Sequence, residues 1–156
     1  MNHSKILLLA LFLGNPLQSA EWKKHLIMEK GQNTSAVAAD YDGDGDVDVI
    51  TSYAGKVSLF SAPEWKETVL HRFANLKGRC IHSETLDIDG DGDMDWAGSE
   101  ANNSPFWLEN PGGPHSGDGS GAWASRIIDH EIRGIQCILK ADVDRDGREA
   151  LIFNSF

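Results

Sequence analysis

The sequence predicts an all-β protein built from repeated four-stranded antiparallel units, and three observations carry that prediction. An aspartate-rich loop recurs as Asp40-Tyr-Asp-Gly-Asp-Gly-Asp-Val-Asp48 and Asp87-Ile-Asp-Gly-Asp-Gly-Asp-Met-Asp95, with a degraded third copy, Asp142-Val-Asp-Arg-Asp-Gly-Arg-Glu-Ala150. A tryptophan marker recurs in step: Trp22-Lys-Lys-His-Leu-Ile27, Trp65-Lys-Glu-Thr-Val-Leu70 and Trp123-Ala-Ser-Arg-Ile-Ile128. The segments after the loops are β-branched or aromatic, as in Val47-Asp-Val-Ile-Thr-Ser-Tyr53 and Leu151-Ile-Phe153, without a helical period. The loops start at 40, 87 and 142, a spacing that marks a repeat architecture.

One unit reads as four short strands. The first precedes the loop, as Ser35–Ala39, Cys80–Leu86 or Ile135–Ala141. The second comes after it, as Val47–Tyr53 or Met94–Gly98, and Ala54-Gly55 turns the chain. The third is Lys56–Phe60 or Pro105–Glu109, and the fourth begins at the tryptophan. Antiparallel units of four, set around a centre, describe β-propeller blades. The stretch 110–122 is rich in Gly and Pro and reads as a surface loop; its His115 is expected to be solvated.

The acid loops carry the chemistry. Five aspartates in nine residues repel one another in any compact conformation, so the loop calls for a cation inside it. Asp40, Asp42, Asp44 and Asp48 fall at positions 1, 3, 5 and 9, and Asp46 at position 7 offers its main-chain carbonyl. Asp87, Asp89, Asp91, Asp93 and Asp95 repeat the pattern. Gly45 and Gly92 sit at position 6, where the backbone must turn sharply. Hard oxygens in this number suit Ca2+, whereas magnesium wants a stricter octahedron. A helix–loop–helix calcium site would need a bidentate Glu at position 12, where Thr51, Gly98 and Phe153 stand. The loop is therefore expected to join two strands. In the third copy Asp142, Asp144 and Asp146 remain, with the Arg148 carbonyl at position 7. Ala150 lacks the last carboxylate and Glu149 lies one residue early, so a solvated turn competes with a metal site there.

The 156 residues are enough for about one domain. The formal charge is −10, and fourteen of the 24 acids lie in the three loops, so the acidity is local. No basic stripe exists to replace counterions on phosphate, which argues against nucleic acid as a partner. Residues 1–20 read as a signal peptide: Lys5, the apolar run Ile6–Leu13, and the small pair Ser19-Ala20. That run is too short for a transmembrane segment, which needs about 20 apolar residues. These features point to a secreted, periplasmic or cell-surface location, with residues 21–156 as the mature repeat region. Export also suits weak calcium sites. Cys80 and Cys137 are expected as buried free thiols, although an oxidising compartment would permit a disulfide.

The segments Asp40-x-Asp42-x-Asp44-Gly45-x-x-Asp48 and Asp87-x-Asp89-x-Asp91-Gly92-x-x-Asp95 resemble the FG-GAP/VCBS repeat family, the calcium-loop β-propellers that include the integrin α-chain head. Trp107-Leu-Glu-Asn-Pro-Gly-Gly113, followed by Trp123, is similar to a variant common in secreted proteins of environmental bacteria. The resemblance implies a propeller with calcium in the hairpin between the first and second strands of each blade, and no single activity. The Phe-Gly and Gly-Ala-Pro signatures of the family are absent, with Phe60-Ser-Ala-Pro63 a partial echo. The units amount to about two and a half blades of an incomplete ring, entered on a lone fourth strand at Trp22. The expectation is an N-terminal fragment of a longer product; a small sheet stack or a ring completed by oligomerisation is the alternative.

Two functions are compatible with these features. In the first, the chain is a non-catalytic binding and structural module in which calcium fixes the turns and one face binds an extracellular protein or polysaccharide. In the second, it is the N-terminal part of a secreted carbohydrate-active enzyme of lyase or dehydratase type. Such chemistry needs a base and a charge stabiliser in one pocket. The candidates His82, Tyr53, Glu100, Arg79 and His130 form no local constellation. His25, His71 and His130 share no register and read as surface strand positions. Converging carboxylates are ligands rather than general acids. The tryptophans read as packing residues between blades, with Trp107 the one candidate for stacking on a sugar.

Overall fold

The computed structural model describes residues 23–29, 32–100, 102–113 and 121–155. The signal-peptide reading of 1–20, Trp22 and His115 lie outside the described residues. The described residues form ten strands and no helix, so none is long and apolar enough to cross a membrane. The strands are β1 (Ser35–Ala39), β2 (Asp48–Tyr53), β3 (Lys56–Ser61), β4 (Lys66–Arg72), β5 (Cys80–Leu86), β6 (Asp95–Glu100), β7 (Phe106–Glu109), β8 (Ala124–Ile127), β9 (Ile135–Ala141) and β10 (Ala150–Ser155).

They make two four-stranded antiparallel meanders, β1-β2-β3-β4 and β5-β6-β7-β8, and a two-stranded sheet of β9 and β10. Register in the first sheet pairs Ala39 with Asp48 across the acid loop, and in the second Leu86 with Asp95. Each loop is thus the connection of a hairpin, as its β-branched flanks predict. β5 lies beside both β1 and β9. The Ala54-Gly55 turn has positive φ at both residues, 46° and 80°, which matches the twist of a tight hairpin. A side chain at Gly55 would also meet Leu76 Cα at 2.7 Å.

Chain direction sorts the connections. The three acid loops, the 62–65 connection and residues 110–113 lie at one end of the sheets; the 54–55 turn and residues 73–79, 102–105 and 128–134 lie at the other. The main core sits between the first two sheets, where Ile50, Val57, Leu59 and Leu70 meet Trp96, Phe106, Leu108 and Trp123. Polar links stitch the same seam: Thr34 Oγ1 donates to Cys80 O (2.6 Å), the Cys80 amide to Ser52 Oγ (2.8 Å) and the Trp123 amide to Leu70 O (3.0 Å).

Several expectations change. Lys23–Met28 forms no strand: a strand needs a ladder partner, and this segment instead sets His25 edge-on to Trp65, with ring centroids 6.1 Å apart. The tryptophan marker does not repeat in environment. Trp123 is buried against Tyr41, whereas Trp65 is half-buried with φ +56°. Both cysteines are free, but only Cys80 is buried; Cys137 is partly exposed. The two-stranded sheet leaves Leu139 and Ile152 exposed.

Candidate metal centres

Each acid loop is shaped by its own aspartates. In the first, both oxygens of Asp40 accept amides, from Gly43 (2.8 Å) and Gly45 (3.0 Å). Asp42 accepts from the Asp44 amide (3.3 Å), and Asp44 from the Asp46 amide (2.8 Å). The second loop repeats every bond: Asp87 with Gly90 (2.7 Å) and Gly92 (3.1 Å), Asp89 with Asp91 (3.2 Å), Asp91 with Asp93 (2.9 Å). Side chains that bond backbone amides a few residues on wind the chain into successive turns. The position-6 residues Gly45, Gly92 and Gly147 take φ of 93°, 100° and 89°, a region that L side chains rarely adopt.

This winding gathers carboxylates. Asp40, Asp42 and Asp48 each present an oxygen within 4.8 Å of the others, and so do Asp87, Asp89 and Asp95. Asp142, Asp144 and Asp146 form a third group, without a position-9 member. Asp44 and Asp91 are engaged in amide bonds beside these groups. Asp46 and Asp93 lie at position 7, where the expected ligand is the main-chain carbonyl. An all-oxygen donor set with a glycine at the sharp turn fits a hard divalent cation.

Asp48 and Asp95 do a second job that sequence reading missed. Both are buried, at 0% and 1% exposure, at the start of β2 and β6. Asp48 accepts the Tyr41 amide (3.1 Å) and the Ala62 amide (2.8 Å); Asp95 accepts those of Ile88 (2.9 Å) and Asn110 (2.7 Å). Each carboxylate therefore ties position 2 of its loop to the connection after the third strand. Burial raises both carboxyls despite these amide bonds, Asp95 to about 6. A bound cation would reverse that direction.

The third loop departs in three ways. Arg145 occupies position 4 with φ +64°, where the other loops have Gly43 and Gly90. Arg148 turns its guanidinium onto Asp146, with Nε 2.9 Å from Oδ2, and holds that carboxyl below the usual range. Glu149 pairs with Lys140 (3.2 Å) and is not turned into the group.

The residues weighed for catalysis do not converge. Tyr53 donates to Glu67 (2.7 Å), His82 is exposed on β5, and Arg79 and His130 are exposed in connections. Arg126 lies over the Trp107 ring, 5.9 Å from its centroid, so that face already carries a guanidinium. Glu100 lines a cleft together with His71. His71 is not a surface position: it is half-buried between Phe73 and Phe106. No protein-family model matches the chain, and no curated protein matches it.

Proposed function

We propose that the chain is an exported calcium-binding module of FG-GAP/VCBS type, made of β-propeller blades, which binds an extracellular protein or polysaccharide without catalysing a reaction. The observation that carries this reading is the convergence of Asp40, Asp42 and Asp48, repeated by Asp87, Asp89 and Asp95, at the same point of two hairpins. The blade reading draws support from the two successive meanders and from β5 lying between β1 and β9.

In each intact loop the carboxylates at positions 1, 3, 5 and 9 and the carbonyl at position 7 would hold the ion. Its charge offsets their mutual repulsion. Extracellular calcium modules bind at roughly 10⁻⁴–10⁻³ M. A site saturated a hundredfold above its Kd stabilises the fold by about 2.7 kcal/mol. The test is the thermal midpoint of the full chain with calcium and with chelator. Calcium raises it on this account; equal midpoints reject the metal reading.

A further inference from the structure

The end of the sheets opposite the acid loops has a different character. The connection after β4 carries Lys77 and Arg79, with Arg72 closing β4 itself, and the connection after β8 carries Arg133. Between them lies a cleft of about 420 Å³, at the seam of the first two sheets. That size falls within the range of small-ligand sites.

The cleft is built rather than incidental. His71 is gripped by Phe73 and Phe106, with ring centroids 5.1 and 5.2 Å away. Burial lowers its pKa, against the nearby Glu100 carboxylate, which favours the neutral imidazole, a form with one donor and one acceptor nitrogen. Neither ring nitrogen has a hydrogen-bond partner among the described residues. Glu100 is fixed by the Asn103 side-chain amide (2.7 Å), and the Asn103 main-chain N–H closes the turn onto the Glu100 carbonyl (2.9 Å). Ile127 adds an exposed apolar wall. The guanidinium groups of Arg72 and Arg133 form no ion pair among the described residues, although both line the cleft.

These groups call for three features in one ligand. Two unpaired guanidiniums match a carboxylate or sulfate. A fixed carboxylate, an amide and an unpartnered imidazole match hydroxyl groups. The imidazole and Ile127 offer a surface for an apolar ring face. We infer that this cleft binds an acidic saccharide, a sugar ring bearing a carboxylate or a sulfate, held by Arg72 and Arg133 with its hydroxyls on Glu100, Asn103 and His71.

The inference names a ligand class for the binding module and rests on that reading for calcium-ordered sheets. It is tested by calorimetric titration of the full, calcium-saturated chain with trigalacturonate, a sulfated trisaccharide and neutral maltotriose. At least one acidic sugar binds, its affinity falls with added salt, and maltotriose does not bind. The double variant Arg72→Ala/Arg133→Ala weakens binding at least tenfold at an unchanged thermal midpoint. His71→Ala weakens it as well. Lys77→Ala/Arg79→Ala, at the same end but outside the cleft, leaves binding unchanged. Equal losses in the two double variants would mean diffuse charge and overturn the site, as would maltotriose binding equally well or neither acidic sugar binding. The midpoint with and without calcium, read on the same samples, separates failure of the cleft from failure of the metal reading.

Discussion

Asn110 donates its side-chain amide to the carbonyl of Tyr41, 2.8 Å away and 69 positions earlier in the chain. The same amide reaches Met94 O (3.1 Å), and the Asn110 main-chain N–H reaches Asp95 (2.7 Å). One buried residue therefore binds position 2 of the first acid loop to positions 8 and 9 of the second, its side chain reaching positions 2 and 8 and its main chain position 9.

Replacing its side chain takes the donor from the buried Tyr41 carbonyl, a loss of about 1–3 kcal/mol, and from the part-buried Met94 carbonyl. Asn110→Ala is expected to lower stability by that order and to weaken calcium binding at both loops. Denaturant midpoints and calcium titration of the variant check this; loss of affinity at one loop alone would refute the link.

The two aspartate roles separate by mutation. Asp42 sits among loop turns, so Asp42→Ala should change metal-free stability by no more than about 0.5 kcal/mol while weakening calcium binding. Asp48 also satisfies the amides of Tyr41 and Ala62. Asp48→Ala is expected to cost about 1–3 kcal/mol even in chelator, because two amides lose their acceptor. Chemical denaturation of both variants without metal distinguishes them.

Protonation gives a signed expectation. The Asp95 carboxyl titrates near 6 in the folded metal-free chain, against an ordinary 3.8. Between those values the folded state binds more protons than the unfolded state, so stability falls as pH rises through the window. Relative to Asp95→Asn, the metal-free protein should lose stability from about pH 4 to about pH 7. Calcium, which displaces the proton, should remove that loss. Midpoints of the two proteins across this range, with and without calcium, are the measurement.

The third loop can be repaired. Arg145 holds a left-handed conformation that costs a non-glycine residue about 1–2 kcal/mol, so Arg145→Gly should stabilise the fold modestly. Adding Arg148→Asp frees Asp146, and adding Ala150→Asp restores position 9. The triple variant is expected to bind one more calcium than the parent, read as calorimetric stoichiometry.

Most of the strand pattern was legible in the sequence because the acid loops punctuate it. β1, β5 and β9 have the expected bounds, and β2 and β6 start within one residue of them. Lys23–Met28 was not legible: it repeats the pattern of β4 and β8, but pattern supplies no ladder partner. The gathering of positions 1, 3 and 9 could be read from spacing, since local Asx turns wind the loop, whereas Asp44 and Asp91 at position 5 accept amides beside those groups. Asn110 could not, because Asn-Pro-Gly-Gly reads as a surface turn and its partners lie in distant loops. His71 was hidden for the same reason: its neighbour Phe106 belongs to another sheet.

Calorimetric titration of the purified, folded full chain with calcium tests the central claim most directly. Two ions per chain at millimolar or tighter affinity, lost one at a time in Asp40→Ala and Asp87→Ala, is the predicted result. No heat and no binding at millimolar calcium, with the chain demonstrably native, would contradict it.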